Sequence, residues 1–381
     1  MNTPGLKSAS IFISAGEASG DLHASSLMKE LKLQSPGTEL IFNGPGGDLM
    51  KAEGLNVLYH VKDLATVGFA EVIKKYSFFR NALKNSAGYI KKSKPDAVIL
   101  IDYPGFNLRL AEEIRPYYNK KIIYYISPQL WAWHEKRVRK VKKNIDLMMV
   151  VFPFEVDFYK KFDIKAEFTG HPLIDRIKEF KENNAKIPHT GNKKIITILP
   201  GSRKDEVKQH LPVIIEALKI IGKNADIIVN ISSAPGMNKH ISAFKSELSG
   251  YNVTEENPYR LILNSDLVMT KAGTSTMECT LIGTPYLIFY KTFPLNYYLL
   301  KPVVKVDKLG IANLLLKKEA VKEFIQNDFT PQNLADEALK ILNDKSYRQK
   351  ISEDLKHVWE ILGSGNASRN AAKLVKEAAG I

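Results

Sequence analysis

Along this chain, short runs of consecutive apolar residues alternate with longer stretches in which apolar positions recur every three or four residues. In the N-terminal half the short runs are Ser10 to Ala15, Glu39 to Asn43, Asp96 to Ile101, Lys121 to Ser127 and Ile145 to Val151. Their counterparts in the C-terminal half are Ile195 to Leu199, Asp226 to Ile231, Leu267 to Thr270 and Tyr286 to Tyr290. Runs this short and this uniformly apolar predict strands covered on both faces, as in a parallel sheet. His23 to Leu33 and Asp205 to Ile221 carry the helical period after the first strand of each half. Strand and helix alternating through both halves predict an α/β chain with two parallel sheets flanked by helices. The polar stretch Lys178 to Asn192 reads as the linker between them, and Leu334 to Ile381 as a helical tail that is polar on one side.

Length agrees with this division, since 381 residues suffice for two domains that each bury a core. A chain 44% hydrophobic and 25% charged has the composition of a soluble globular protein. No apolar run reaches the length of a membrane span, and Met1 to Ser10 lacks the features of a secretory signal, so a cytoplasmic location is expected. The single cysteine, Cys279, rules out an internal disulfide and lies among apolar neighbours, which favours packing over reactivity. A formal charge of +14 calls for nucleic acid, an anionic membrane surface or phosphorylated substrates, unless it reflects a genome rich in lysine codons.

Candidate chemistry concentrates where strands end. Asn264 to Pro285 reads as a buried strand, a small-residue turn and a helix. Gly273, Thr274 and Ser275 in that turn put hydroxyls and unpaired amides at a helix start, where a phosphate is favoured. Glu278, one turn further on, could accept the two hydroxyls of a ribose. Gly201, Ser202 and Arg203 follow the strand Ile195 to Leu199 in the same way, and two such turns in one half point to a diphosphate held between helix N-termini. In the N-terminal half, Glu17, Ser19, Gly20 and Asp21 form a glycine-bracketed loop after the first strand, fit either for a ligand or for a plain turn. Asp102 stands at the C-terminal end of a strand, where it is either a general base facing a ligand crevice or the cap of the next helix.

Two stretches carry surface signals. Val67, Phe69, Val72, Ile73, Phe78 and Phe79 crowd a segment flanked by Lys74, Lys75, Arg80 and Lys84, as in a helix lying on an anionic bilayer or one facing a core. Trp131 and Trp133 precede a cluster of cations from Lys136 to Lys143. Several chemistries find no support. The histidines have no paired helical spacing and one cysteine cannot build a thiolate cluster, so no metal site is expected. There is also no Asp-x-Asp pair, no Gly-x-Ser-x-Gly elbow, no Walker sequence and no dinucleotide fingerprint.

The motifs SAGEASGDLH (Ser14 to His23), VGFAEV (Val67 to Val72), IDYPGFNLRLA (Ile101 to Ala111), YYISPQLWAWHEKRVRKVKK (Tyr124 to Lys143) and FPFE (Phe152 to Glu155) resemble those of the lipid-A-disaccharide synthases. So do TGHPLID (Thr169 to Asp175), LPGSRKDEV (Leu199 to Val207) and LVMTKAGTSTMECTLIGTP (Leu267 to Pro285), all in family order. The resemblance implies the GT-B fold, with two Rossmann-like domains facing a cleft. Residues 1–176, completed by C-terminal helices at about 345–381, would take the acceptor and face the membrane, and 177–344 would bind the nucleotide sugar.

It further implies an inverting transfer that joins UDP-2,3-diacylglucosamine to 2,3-diacylglucosamine 1-phosphate through a β-1′,6 bond and releases UDP, without metal or cofactor. Asp102 resembles the base, Gly201, Ser202, Arg203, Gly273, Thr274 and Ser275 the diphosphate site, and Glu278 the ribose carboxylate. Asn313 matches a nucleotide-side asparagine, although the proline usual before it is absent here, and Gly105 stands where many members carry an acid. The lipid acceptor favours the membrane role for Val67 to Leu83 and a peripheral place on the inner membrane, and the resemblance allows a homodimer that exchanges C-terminal helices. Other readings are a UDP-N-acetylglucosamine epimerase of the same fold and a basic protein that binds nucleic acid, the latter without any of the expected motifs.

Overall fold

The computed structural model describes residues 7–64, 76–133, 135–187, 191–293, 297, 301 and 304–381. Its contacts divide the chain into two compact units, Met1–Pro172 with Ser364–Ile381, and Leu173–Gly363. Each unit is built on one parallel sheet.

The first sheet contains β1 (Lys7–Ser14), β2 (Thr38–Gly46), β3 (Leu55–His60), β4 (Ala97–Ile101), β5 (Lys121–Tyr125), β6 (Leu147–Val150) and β7 (Ala166–Phe168). Their order is β3-β2-β1-β4-β5-β6-β7, so the chain adds strands outward from β1 in one direction and then, from β4, in the other. The reversal leaves β1 beside β4, with Ser14 paired to Leu100. All five residues of β4 are buried. Each Ile, Leu or Val there stabilises the unit by about 1.5–3 kcal/mol relative to an exposed position.

The second sheet repeats the plan with β8 (Lys194–Leu199), β9 (Ile227–Ser232), β10 (Asn252–Thr254), β11 (Leu267–Lys271), β12 (Tyr286–Tyr290) and β13 (Glu323–Ile325). The order is β10-β9-β8-β11-β12-β13, which sets β8 beside β11, with Leu199 paired to Thr270. In sheets of this kind the loops at the carboxyl ends of the two strands flanking the reversal diverge and leave a crevice. Those loops follow Ser14 and Ile101 in one unit and Leu199 and Lys271 in the other.

Three expectations change. β3, β7, β10 and β13 were not signalled by apolar runs. The first part of the polar stretch Lys178 to Asn192 is not linker, because the helix Pro172–Asn183 runs through it. Of the C-terminal helices, Lys345–Leu362 belongs to the second unit, where it packs on Thr274–Ile282. Only Ala367–Ala379 returns to the first, lying along Ala18–Gln34, with Asn370 Nδ2 donating to the Thr169 carbonyl at 3.0 Å. No helix among the described residues is long and apolar enough to cross a membrane.

Candidate active site

In the first unit the chain leaves β4 through two consecutive left-handed residues, Asp102 (φ 44°) and Tyr103 (φ 50°). Such a conformation costs a non-glycine residue about 1–2 kcal/mol, so something must hold it. Part of the cause is local, since Pro104 disfavours the helical region for Tyr103 while starting the helix Pro104–Ile114. The rest is tertiary. Asn107, fully buried, donates from Nδ2 to the carbonyls of Ile101 (3.0 Å) and Asp102 (2.8 Å), and its Oδ1 accepts from Ser14 Oγ at 2.8 Å. Tyr124 Oη also donates to the Asp102 carbonyl, at 2.5 Å. Tyr103 lays its ring on Gly16, where a Cβ would fall 1.9 Å from the ring, and donates its hydroxyl to the Leu64 carbonyl at 2.8 Å.

The result is a carboxylate displayed on a rigid turn. Burial, reinforced by the negative charge of Glu17, pushes the Asp102 carboxyl up to about 6, while the Tyr103 amide works the other way. A carboxylate of that basicity is ionised at neutral pH and still a competent proton acceptor for a sugar hydroxyl.

The other loop residues divide between solvent and structure. Glu17 and Ser19 are exposed, and Gly20 packs against Ala15. Asp21 is committed to the fold: its carboxylate accepts from the amides of Gly47, Leu49 and Met50 at 2.8, 3.1 and 3.0 Å and caps the helix Asp48–Ala52.

The loop after β5 is fastened by Glu155. Its oxygens accept from Ser127 Oγ, Trp131 Nε1 and the amides of Val151 and Phe152 at 2.9 to 3.2 Å, in a position 1% exposed. Of the apolar segment expected to meet a membrane, Val67, Phe69, Val72 and Ile73 lie outside the described residues. Phe78 and Phe79 are half-buried, Phe78 edge-on to Tyr59 and Phe79 edge-on to Phe106 and 6.2 Å from Tyr103.

In the second unit, the loops after β8 and β11 line a pocket of about 380 Å³ together with those after β9 and β10. Gly201, Ser202, Thr274, Ser275 and Glu278 are on its wall, together with Ser232, Ser233, Pro235, Glu255 and Glu256. Gly201 has φ 129° and Gly273 φ 156°, conformations that side chains rarely adopt, and a Cβ at 201 would strike Glu206. His210, fully buried, bridges the Pro200 carbonyl (2.7 Å) and the main chain of Lys291 (3.1 Å), which fixes the Pro200 turn to the end of β12. Ser275 Oγ bonds Thr270 Oγ1 at 2.7 Å, and Thr276 Oγ1 donates to the Gly273 carbonyl at 2.8 Å, bracing the second turn. Glu278 is drawn above the usual carboxylate range by burial, opposed by the Arg176 charge and the Tyr259 hydroxyl.

The reversal point of the first sheet thus carries a carboxylate on a braced left-handed turn, and that of the second carries two glycine-containing turns beside a pocket. The protein-family model described as lipid-A-disaccharide synthetase matches residues 11–378. The chain belongs to the lipid-A-disaccharide synthase family. It is 34% identical over 371 residues to the lipid-A-disaccharide synthase of Trichlorobacter lovleyi, covering 96% of each chain. To that of Geobacter sulfurreducens it is 36% identical over 376 residues, covering 97% of each.

Among solved structures, UDP-GlcNAc 2-epimerase from Neisseria meningitidis bound to UDP-GlcNAc superposes with a TM-score of 0.65 at 15% identity, covering 97% of this chain and 100% of that one. For MurG from Acinetobacter baumannii the values are 0.55 and 15%, with 97% and 99% covered. Likeness at this identity is one of fold, and the fold is GT-B. A lipid-A-disaccharide synthase is a glycosyltransferase of lipid A biosynthesis, so the chain is an enzyme of that class.

Not every residue expected in a lipid-A-disaccharide synthase site is at the pocket. Arg203 keeps 69% of its side chain exposed and stays off the wall, 3.5 Å from Glu206. Asn313 does not join this set either, because its side chain is consumed by the fold: Nδ2 donates to the Val321 carbonyl and Glu323, and Oδ1 accepts from the amides of Ala320 and Val321. Two residues went unnoticed. Tyr259 holds Glu278 from the helix Pro258–Leu263, and Lys271, the last residue of β11, lines the pocket. The signal for Lys271 was present, a charged residue ending an otherwise apolar run next to Gly273.

Proposed function

We propose that the enzyme transfers the diacylglucosaminyl group of UDP-2,3-diacylglucosamine to the 6-hydroxyl of 2,3-diacylglucosamine 1-phosphate, with inversion at the anomeric carbon. Asp102 takes the proton of the 6-hydroxyl as its oxygen forms the new bond to C1 of the donor. The bond from C1 to the diphosphate breaks and its electron pair leaves on UDP, so one carboxyl proton and one phosphate charge balance the step. Amides and hydroxyls at Gly201, Ser202, Gly273, Thr274 and Ser275 receive the diphosphate, and Glu278 receives the ribose.

The observation that carries this reading is Asp102 on its strained turn, a carboxylate held near neutral basicity at the reversal of the first sheet. The acyl chains of both substrates call for a bilayer source. That supports a cytoplasmic protein peripheral to the inner membrane, meeting it through the segment that contains Phe78 and Phe79, with a homodimer as its assembled form. The test is incubation of the purified protein with both acylated substrates. Disaccharide 1-phosphate and UDP in equal amounts are expected. Epimerisation of unacylated UDP-N-acetylglucosamine, with no disaccharide formed, would replace this reading.

A further inference from the structure

Lys271 connects the two turns of the nucleotide pocket. Its Nζ lies 3.0 Å from Glu206 Oε1, and Glu206 Oε2 accepts the main-chain N–H of Ser202 at 3.0 Å. On its other side, the same Nζ is 3.2 Å from where a Cβ at Gly273 would stand, so the ammonium rests over the residue that caps the helix Thr274–Ile282. The ion pair is largely withdrawn from water, with 18% of the lysine and 10% of the glutamate side chain exposed. Lys271 also lines the pocket, which Arg203 does not.

We propose that Lys271 is the cation that binds the donor's diphosphate, and that Glu206 is the positioning residue that holds it in place before the nucleotide arrives. This rests on the reading that the pocket receives a uridine diphosphate. An ammonium has three N–H donors and Glu206 takes one, so phosphate oxygens can be bound without breaking the pair. Burial raises the Glu206 carboxyl, but the Lys271 charge and hydrogen bond and the Ser202 amide outweigh it and hold the group below the usual range. Glu206 therefore remains an anion, and without nucleotide it fills the place of one.

The experiment is titration of the full-length protein with UDP by calorimetry and with uridine by ligand-observed NMR, alongside melting curves with and without UDP. Lys271→Met is expected to weaken UDP by about tenfold or more while leaving uridine, which has no phosphate, unchanged. Glu206→Gln keeps an acceptor for Ser202 and removes the charge. It is expected to melt lower than wild type without nucleotide and to gain more from UDP, because the diphosphate then supplies the missing anion. UDP affinity of Lys271→Met equal to wild type overturns the proposal, as does an equal loss of uridine, which would make the lysine a wall of the pocket only. A smaller UDP gain in Glu206→Gln removes Glu206 from its role. If wild type fails to bind UDP, the uridine diphosphate reading itself falls and takes the proposal with it.

Discussion

Asn107 donates one side-chain hydrogen to the main-chain carbonyl of Asp102 at 2.8 Å and another to that of Ile101 at 3.0 Å, from a position with no solvent exposure. A helix residue thereby sets the backbone of the strand end that precedes its own helix. The left-handed pair Asp102–Tyr103 persists because this amide, with Tyr124, gives the carbonyls of Ile101 and Asp102 their side-chain partners.

Asn107→Ala should therefore act on both stability and chemistry. Removing a buried amide that makes three hydrogen bonds leaves polar groups unsatisfied and is expected to cost about 2–4 kcal/mol in chemical denaturation. Turnover should fall further than the folded fraction accounts for, and UDP affinity should stay at the wild-type value. Specific activity of the folded variant equal to wild type would show that the turn needs no such support.

Gly16 and Glu17 separate geometry from charge at the same turn. Gly16→Ala places a Cβ within 1.9 Å of the Tyr103 ring and should displace Tyr103, depressing kcat with UDP binding intact. Glu17→Gln should instead preserve kcat on the plateau. It removes the negative charge that helps raise the Asp102 carboxyl, so the acid limb of the pH–rate profile should move to lower pH. An unmoved limb would mean that burial alone sets the basicity of Asp102.

Glu278 is expected to read the sugar of the nucleotide. Wild type should prefer UDP to 2′-deoxy-UDP, and Glu278→Ala should bind the two alike, as measured by calorimetry. Tyr259→Phe removes the hydroxyl that orients Glu278 and should lie between them. A preference for UDP that survives in Glu278→Ala would place ribose recognition elsewhere.

How much of this was legible in the sequence depends on where each residue sits. The interior strands announce themselves because covering on both faces demands continuous apolar runs. β3, β7, β10 and β13 do not, and they are the outer strands of the two sheets. Asn252 and Val253 of β10 are exposed, and no residue of β7 or β13 is fully buried, so their sequences keep no buried-strand signature. The glycine turns were readable because their signal is local. The partners of Asp102, by contrast, are Tyr124 and an Asn107 that Ser14 braces, on three separate elements, and the partner of Glu278 is Tyr259, contacts that only the folded chain brings together. Asn313 misled for the converse reason: an asparagine in a motif looks the same whether its amide faces a ligand or, as here, binds Ala320, Val321 and Glu323.

His171 should leave a mark on acid stability. Burial, with a smaller contribution from His23, holds its imidazole down at about 3, against an ordinary value of 6.5. The unfolded chain then binds more protons than the folded one between those values. Stability is complete above about 6.5 and is lost as pH falls toward 3. His171→Gln should flatten that loss in urea titrations across the window, and an unchanged slope would show that His171 titrates normally in the fold.

The most direct measurement is kcat/KM for the disaccharide-forming reaction against pH in wild type and Asp102→Asn. Wild type should rise with pH to a plateau, with an apparent pKa of about 6 on the acid side. Asp102→Asn should retain UDP affinity, lose about a hundredfold or more in rate, and show no such limb. Wild-type turnover in Asp102→Asn, or the same limb in what activity remains, would contradict the account.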